Sequence, residues 1–147
     1  MPLPQKPTAK KAPKPRRAQS KGRAVPLESA EQIAFFDWLR MAFPKLLAYH
    51  VPNGQGKLGK LGRIQSKRKG VTPGVPDINI DEPMGPYHGA RIEMKRVKGG
   101  VVSEDQEQIH DMLRAKGYYV IVAHGFEQAR DGILKYLSFG EPVAWIR

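Results

Sequence analysis

Two short segments carry side chains that suit metal-assisted hydrolysis: Gly74-Val75-Pro76-Asp77 and Ile92-Glu93-Met94-Lys95. Two carboxylates that converge can hold a hard cation such as Mg²⁺ or Mn²⁺, which keeps most of its waters and accepts few protein ligands. An ammonium group beside them can orient an attacking water or offset charge developing on a phosphate. The same residues also admit a plain structural use. Glu93 and Lys95 would then be solvated on an exposed strand face, and Asp77 would cap a turn.

The chemistry depends on elements that bring the segments together. Side chains alternate along a strand, so Glu93 and Lys95 point one way while Ile92 and Met94 face the core. Pro76 has no N–H to give a ladder and belongs at a strand start. Ile78 to Ile80 and Ala90 to Arg96 read as strands separated by Asp81-Glu82-Pro83-Met84-Gly85-Pro86, whose turn residues suit a hairpin loop; if the two pair in that way, Asp77 and Glu93 can converge on one point with Lys95 next to it. Ser103 opens a capped helix, with Gln106 at its third position and Glu104 and Asp105 in its first turn, running to Lys116 before Gly117. Tyr118 to Ala123 reads as a buried strand and Phe126 to Leu137 as a closing helix. The helix from Ser103 then crosses over between parallel strands.

Upstream, Ser29-Ala30-Glu31-Gln32 has the form of a capping box for a helix ending near Ala42, ahead of Pro44. Ile33, Phe36, Leu39 and Phe43 lie on one apolar arc; Phe35, Trp38 and Ala42 lie on another, which includes Glu31. A carboxylate on an apolar flank costs free energy unless it is paired or binds a cation. In a first turn it also suits solvent and the helix dipole. Leu46 to Val51 reads as a strand, and residues 52–76 as a long basic connection with a turn or two of helix around Leu61 to Lys69. The predicted fold class is α/β, one domain with a mixed sheet flanked by helices.

The chain has 147 residues, 25 Lys plus Arg against 14 Asp plus Glu, a net charge of +11 and no cysteine. The missing thiols exclude a disulfide framework, a thiolate zinc site and a cysteine nucleophile. Residues 1–26 hold eight basic residues, no acid and six of the 13 prolines, with almost nothing to bury. They are expected to be a disordered basic arm preceding a folded domain over residues 27–147. Lys45, Lys57, Lys60, Arg63, Lys67, Arg68 and Lys69 form a second acid-free basic stretch. Both stretches suit phosphate backbones, with binding that weakens as salt rises, although a tail of this kind also serves solubility or targeting. No apolar run approaches the roughly 18 residues of a membrane span, and no signal peptide is visible. A cytoplasmic protein without a membrane partner is expected.

Taken in order, Glu31, His50-Val51-Pro52-Asn53-Gly54, Gly70-Val71-Thr72-Pro73-Gly74-Val75-Pro76-Asp77, Ile92-Glu93-Met94-Lys95, Gln106 and Gly117-Tyr118 resemble the VRR-NUC domain, the virus-type replication and repair branch of the PD-(D/E)xK nucleases. The resemblance spans about Ser29 to Leu137. It implies a restriction-endonuclease-like fold and Mg²⁺- or Mn²⁺-dependent hydrolysis of DNA. It makes Asp77 and Glu93 metal ligands, with the Met94 carbonyl a third, and Lys95 the catalytic lysine. Glu31 and Gln106 would complete the site from the flanking helices, though Gln106 competes with its own capping role. Branched or Holliday-junction DNA in replication, recombination or repair is the implied substrate. A homodimer cutting opposing strands and a phage setting follow from the same resemblance. Lys57, Lys60, Arg63, Lys67, Arg68 and Lys69 are the expected DNA-gripping residues. The alternative from the residues alone is a non-catalytic DNA- or RNA-binding protein.

Two decoys are set aside. Gly54-Gln55-Gly56-Lys57-Leu58-Gly59-Lys60 begins like a Walker A loop, but Leu61 stands where Ser or Thr must meet magnesium. His50, His88, His110 and His124 have no metal-ligand spacing and read as polar filler or phosphate contacts.

Overall fold

The structure, a computed structural model, describes residues 27–52 and 58–141. The basic arm, Lys57 and most of the Walker-like segment therefore lie outside the described residues. The element order is α1 (Glu28–Ala42), β1 (Ala48–His50), α2 (Lys60–Arg68), β2 (Ile78–Ile80), β3 (Ala90–Lys95), α3 (Glu104–Ala115), β4 (Tyr119–His124) and α4 (Phe126–Leu137). The sheet is mixed, in the order β1-β2-β3-β4. β1, β2 and β3 are antiparallel neighbours, and β4 runs parallel to β3.

The alternation in β3 decides the architecture. Ala90, Ile92 and Met94 are fully buried on one face, in register with Ile78 and Ile80 of β2 and with Ile121 and Ala123 of β4. Phe35, Phe36 and Leu39 of α1 and Ala129, Ile133 and Tyr136 of α4 close over that face as a single core. Each fully buried large side chain contributes about 1.5–3 kcal/mol over leaving it in water. The opposite face carries Arg91, Glu93 and Lys95, and α3 covers it beside β4. The α1 and α4 layer, the sheet and the α3 layer make a three-layer sandwich. Among the described residues α2 packs against no other helix or strand.

Two expectations about α1 change. Leu27, not Ser29, is the N-cap, and no side chain caps the helix. The N–H groups of Ala30 and Glu31 turn to the Leu27 carbonyl, which starts the helix earlier than the Ser-x-x-Gln pattern suggests. Ile33 is exposed because Phe35, Phe36 and Leu39 define the buried stripe. β1 is shorter than the predicted strand. Among the described residues no helix is long and apolar enough to cross a membrane.

Candidate active site

The hairpin of β2 and β3 joins the two chemical segments. Their pairing ends at Ile78 and Ile92, so the edge of β3 beyond Ile92 is open toward the residue before β2. Asp77 takes that place, and its Oδ2 accepts the Met94 N–H at 2.8 Å. Lys95 directs its own carbonyl toward β4, where it accepts from Gly125 at 3.1 Å. Because carbonyl directions alternate along a strand, the Met94 carbonyl points the other way, to the Asp77 side.

The approach to Asp77 is fixed by sterics. Gly74 has φ +85°, and a Cβ there would stand 2.6 Å from the Asp105 carbonyl in the first turn of α3. Only glycine combines that backbone conformation with that closeness. At the other side, Val51 N–H donates to the Asp77 carbonyl at 2.7 Å, and His50 Nδ1 lies 2.8 Å from the same oxygen.

Glu93 is the deepest charge in the site, 2% exposed. Its Oε1 accepts from Gln106 Nε2 and pairs with Lys95 Nζ at 3.0 Å. Gln106 also takes Lys95 Nζ on its Oε1 at 2.8 Å while accepting the Ser103 N–H at 2.9 Å. The Ser103 hydroxyl in turn accepts from Gln106 N–H. Gln106 therefore serves the capping box and the site together, since its amide has separate donor and acceptor ends. Glu93 Oε2 is buried without any hydrogen-bond partner.

Burial, and then the neighbouring Asp77 carboxylate, push the Glu93 carboxyl up to about 7 against the smaller pull of Lys95. Burial also raises Asp77, opposed by the Met94 N–H and by Lys95 and His50. A buried carboxyl raised by a half-buried neighbouring carboxylate, and carrying an unsatisfied oxygen, has the character of a cation site. Among the described residues no group of three or more His, Cys, Asp and Glu forms a closed cage. An open pair of carboxylates fits an octahedral Mg²⁺ or Mn²⁺ that retains waters.

The α1 carboxylate with an electrostatic effect here is Glu28, the smallest contributor to the rise of Glu93. Glu31, singled out in the sequence, is placed differently. Its Oε2 accepts the Phe126 N–H at 2.6 Å, capping α4 at its positive end. Gly125, with φ +89°, passes so close that a Cβ would lie 3.1 Å from that oxygen. Among the described residues no hydrogen bond or ion pair joins Glu31 to Asp77, Glu93, Lys95 or Gln106. An acidic first turn of α1 was legible in the sequence; which acid turns inward depends on the helix start.

Of the basic residues, Lys60, Arg63, Lys67 and Arg68 lie on α2 and Lys69 caps it, all exposed. Both ends of the segment that bears them meet at Asp77, through the His50 and Val51 contacts and through Pro76. Of the two readings given to His110, burial removes the phosphate contact and keeps polar filler: it is 2% exposed, with Nε2 3.9 Å from Glu93 Oε2. Its sequence signal was the four-residue spacing from Gln106.

A four-stranded mixed sheet flanked by helices, which gathers Asp77, Glu93, Lys95 and Gln106, is the architecture of a restriction-endonuclease-like fold. A solved structure described as a "VRR_NUC domain protein" superposes with a TM-score of 0.66 at 26% sequence identity, covering 79% of this chain and 92% of that one. The chain has the VRR-NUC domain fold. No family model matches the sequence, and no curated protein does either.

Proposed function

We propose that the protein is a Mg²⁺- or Mn²⁺-dependent DNA endonuclease acting on branched DNA. The observation that carries this reading is the orphaned Oε2 of buried Glu93 beside Asp77, with Lys95 and Gln106 both occupied on Oε1. Asp77 and Glu93 would hold the cation, with the Met94 carbonyl on the same side. A divalent cation bound there supplies an acidified water and neutralises phosphate charge.

The chain's own groups do the rest. Gln106 and Lys95 fix the Glu93 carboxylate through Oε1. The Lys95 ammonium, 12% exposed on its side chain, stands where it can orient the attacking water or offset charge developing on the phosphate. The Met94 N–H holds Asp77 in its rotamer. Lys60, Arg63, Lys67, Arg68 and Lys69, with Lys57 and the N-terminal arm, would gather the DNA backbone by counterion release. One site per small domain cuts two strands symmetrically only as a homodimer, so a second copy is part of the proposal.

The test is cleavage of end-labelled junction, flap and linear DNA, and of matching RNA, in Mg²⁺ and in Mn²⁺, beside Asp77→Ala and Lys95→Ala. Wild type should cut branched DNA and the variants should lose at least ~100-fold in rate while still binding. Binding without cleavage by every form, in either metal, would make the protein a nucleic-acid binder; preference for RNA would change the substrate.

A further inference from the structure

Gln106 and His110 stand four residues apart on α3, so both side chains lie on the helix face turned to Glu93. Gln106 serves Oε1. His110 faces Oε2 at 3.9 Å, and neither His110 Nε2 nor Glu93 Oε2 has a hydrogen-bond partner. Two buried orphans, one a donor in the right tautomer and one an acceptor, are each unfavourable when unpaired.

Lone-pair accounting gives the contact a purpose. Oε1 already receives two donors, Gln106 Nε2 and Lys95 Nζ, which fill its two lone-pair directions. Oε2 has two directions and uses neither. One N–H from the histidine leaves one direction for a cation. A neutral ring has one N–H, and a carboxylate oxygen opposite Nε2 favours the tautomer that carries it there.

We propose that His110 is a positioning residue for Glu93: its Nε2–H donates to Oε2 and aims the remaining lone pair of that oxygen at the cation shared with Asp77. Moving from 3.9 Å to hydrogen-bond length takes a shift of about 1 Å, a small rotation of a carboxylate already pivoted on Oε1. A histidine that only filled space would be replaceable by any side chain of its shape. Its burial keeps it from meeting a phosphate directly.

This inference rests on the metal-dependent reading above, and its test separates the two. Mn²⁺ binding to the full chain without DNA, followed by the electron paramagnetic resonance signal of free Mn²⁺ at pH 7.5, is measured for wild type, Asp77→Asn, His110→Phe, His110→Asn and His110→Gln, with a thermal melt of each. Wild type should bind and Asp77→Asn should bind far more weakly. His110→Phe, and His110→Asn whose amide is too short, should each weaken binding about 10-fold, the usual effect of losing a group that orients a ligand. His110→Gln, which carries an N–H to about the reach of Nε2, should stay within about threefold of wild type on the same scale. Wild type that binds no Mn²⁺ refutes the metal reading and the positioning role with it. Wild-type binding combined with unchanged affinity in His110→Asn, or equal loss in His110→Gln and His110→Asn, overturns the positioning role and leaves the metal reading standing.

Discussion

Replacing Glu93 by Gln should stabilise the metal-free protein at neutral pH and remove a pH dependence that the wild type shows. The folded protein holds the Glu93 proton up to about pH 7, whereas the unfolded chain releases it near 4.5. Between those values the folded state binds more protons than the unfolded state, so unfolding free energy falls as pH rises and levels off above about 7. The interval corresponds to about 3 kcal/mol, at 1.36 kcal/mol per pKa unit. Asp77, raised in the same sense, adds to the slope in both proteins. Urea unfolding followed by circular dichroism, in EDTA from pH 4 to 8, gives the comparison. The difference between Glu93→Gln and wild type should grow by about 3 kcal/mol in favour of the variant as pH rises through this window, the Lys95 contact being already included in the position of the Glu93 titration. Saturating Mg²⁺ should restore the wild type at high pH, by about 2.7 kcal/mol at a concentration 100 times Kd. Parallel wild-type and variant curves across the window would refute the argument that burial and Asp77 hold the proton on Glu93.

Glu31→Ala should cost about 1 kcal/mol of stability through loss of the α4 cap, with Mn²⁺ affinity unchanged; a large fall in affinity would return Glu31 to the site. Gly74→Ala should cost about 1–3 kcal/mol and slow any cleavage, because φ +85° and the Asp105 carbonyl 2.6 Å from the new Cβ both force the Asp77 loop to move; denaturant melts and single-turnover rates check it. The triple change Lys67→Ala, Arg68→Ala and Lys69→Ala should weaken DNA binding without altering Mn²⁺ affinity, and should lower the slope of log K against log salt by about 2–3 if each side chain meets a phosphate.

Much of the site could be read from the chain because it rests on local rules. Strand alternation put Glu93 and Lys95 on one face and Met94 in the core, and Pro76 marked where β2 begins, so Asp77 fell beside them. Ser103 and Gln106 announced α3 by their capping box. What the chain did not disclose depends on tertiary packing. Phe35, Phe36 and Leu39 pack into the core and so set which face of α1 meets the domain, which brings Glu31 to the Phe126 N–H of α4 and leaves Glu28 a minor electrostatic influence on Glu93. The sequence set a capping role for Gln106 against an active-site one, and its amide bonds Ser103 while also reaching Glu93 and Lys95. His110 had no readable partner because Glu93 lies on another element, reached only when α3 folds back over β4.

The proposed activity requires that Asp77 and Glu93 hold a cation. The most direct measurement follows one labelled branched DNA through a Mg²⁺ titration with wild type and Asp77→Asn at equal DNA occupancy. Product should accumulate only with cation, stop on addition of EDTA, and be lost in Asp77→Asn. Cleavage that persists in EDTA or in Asp77→Asn, or none by wild type at any Mg²⁺ concentration, would contradict it.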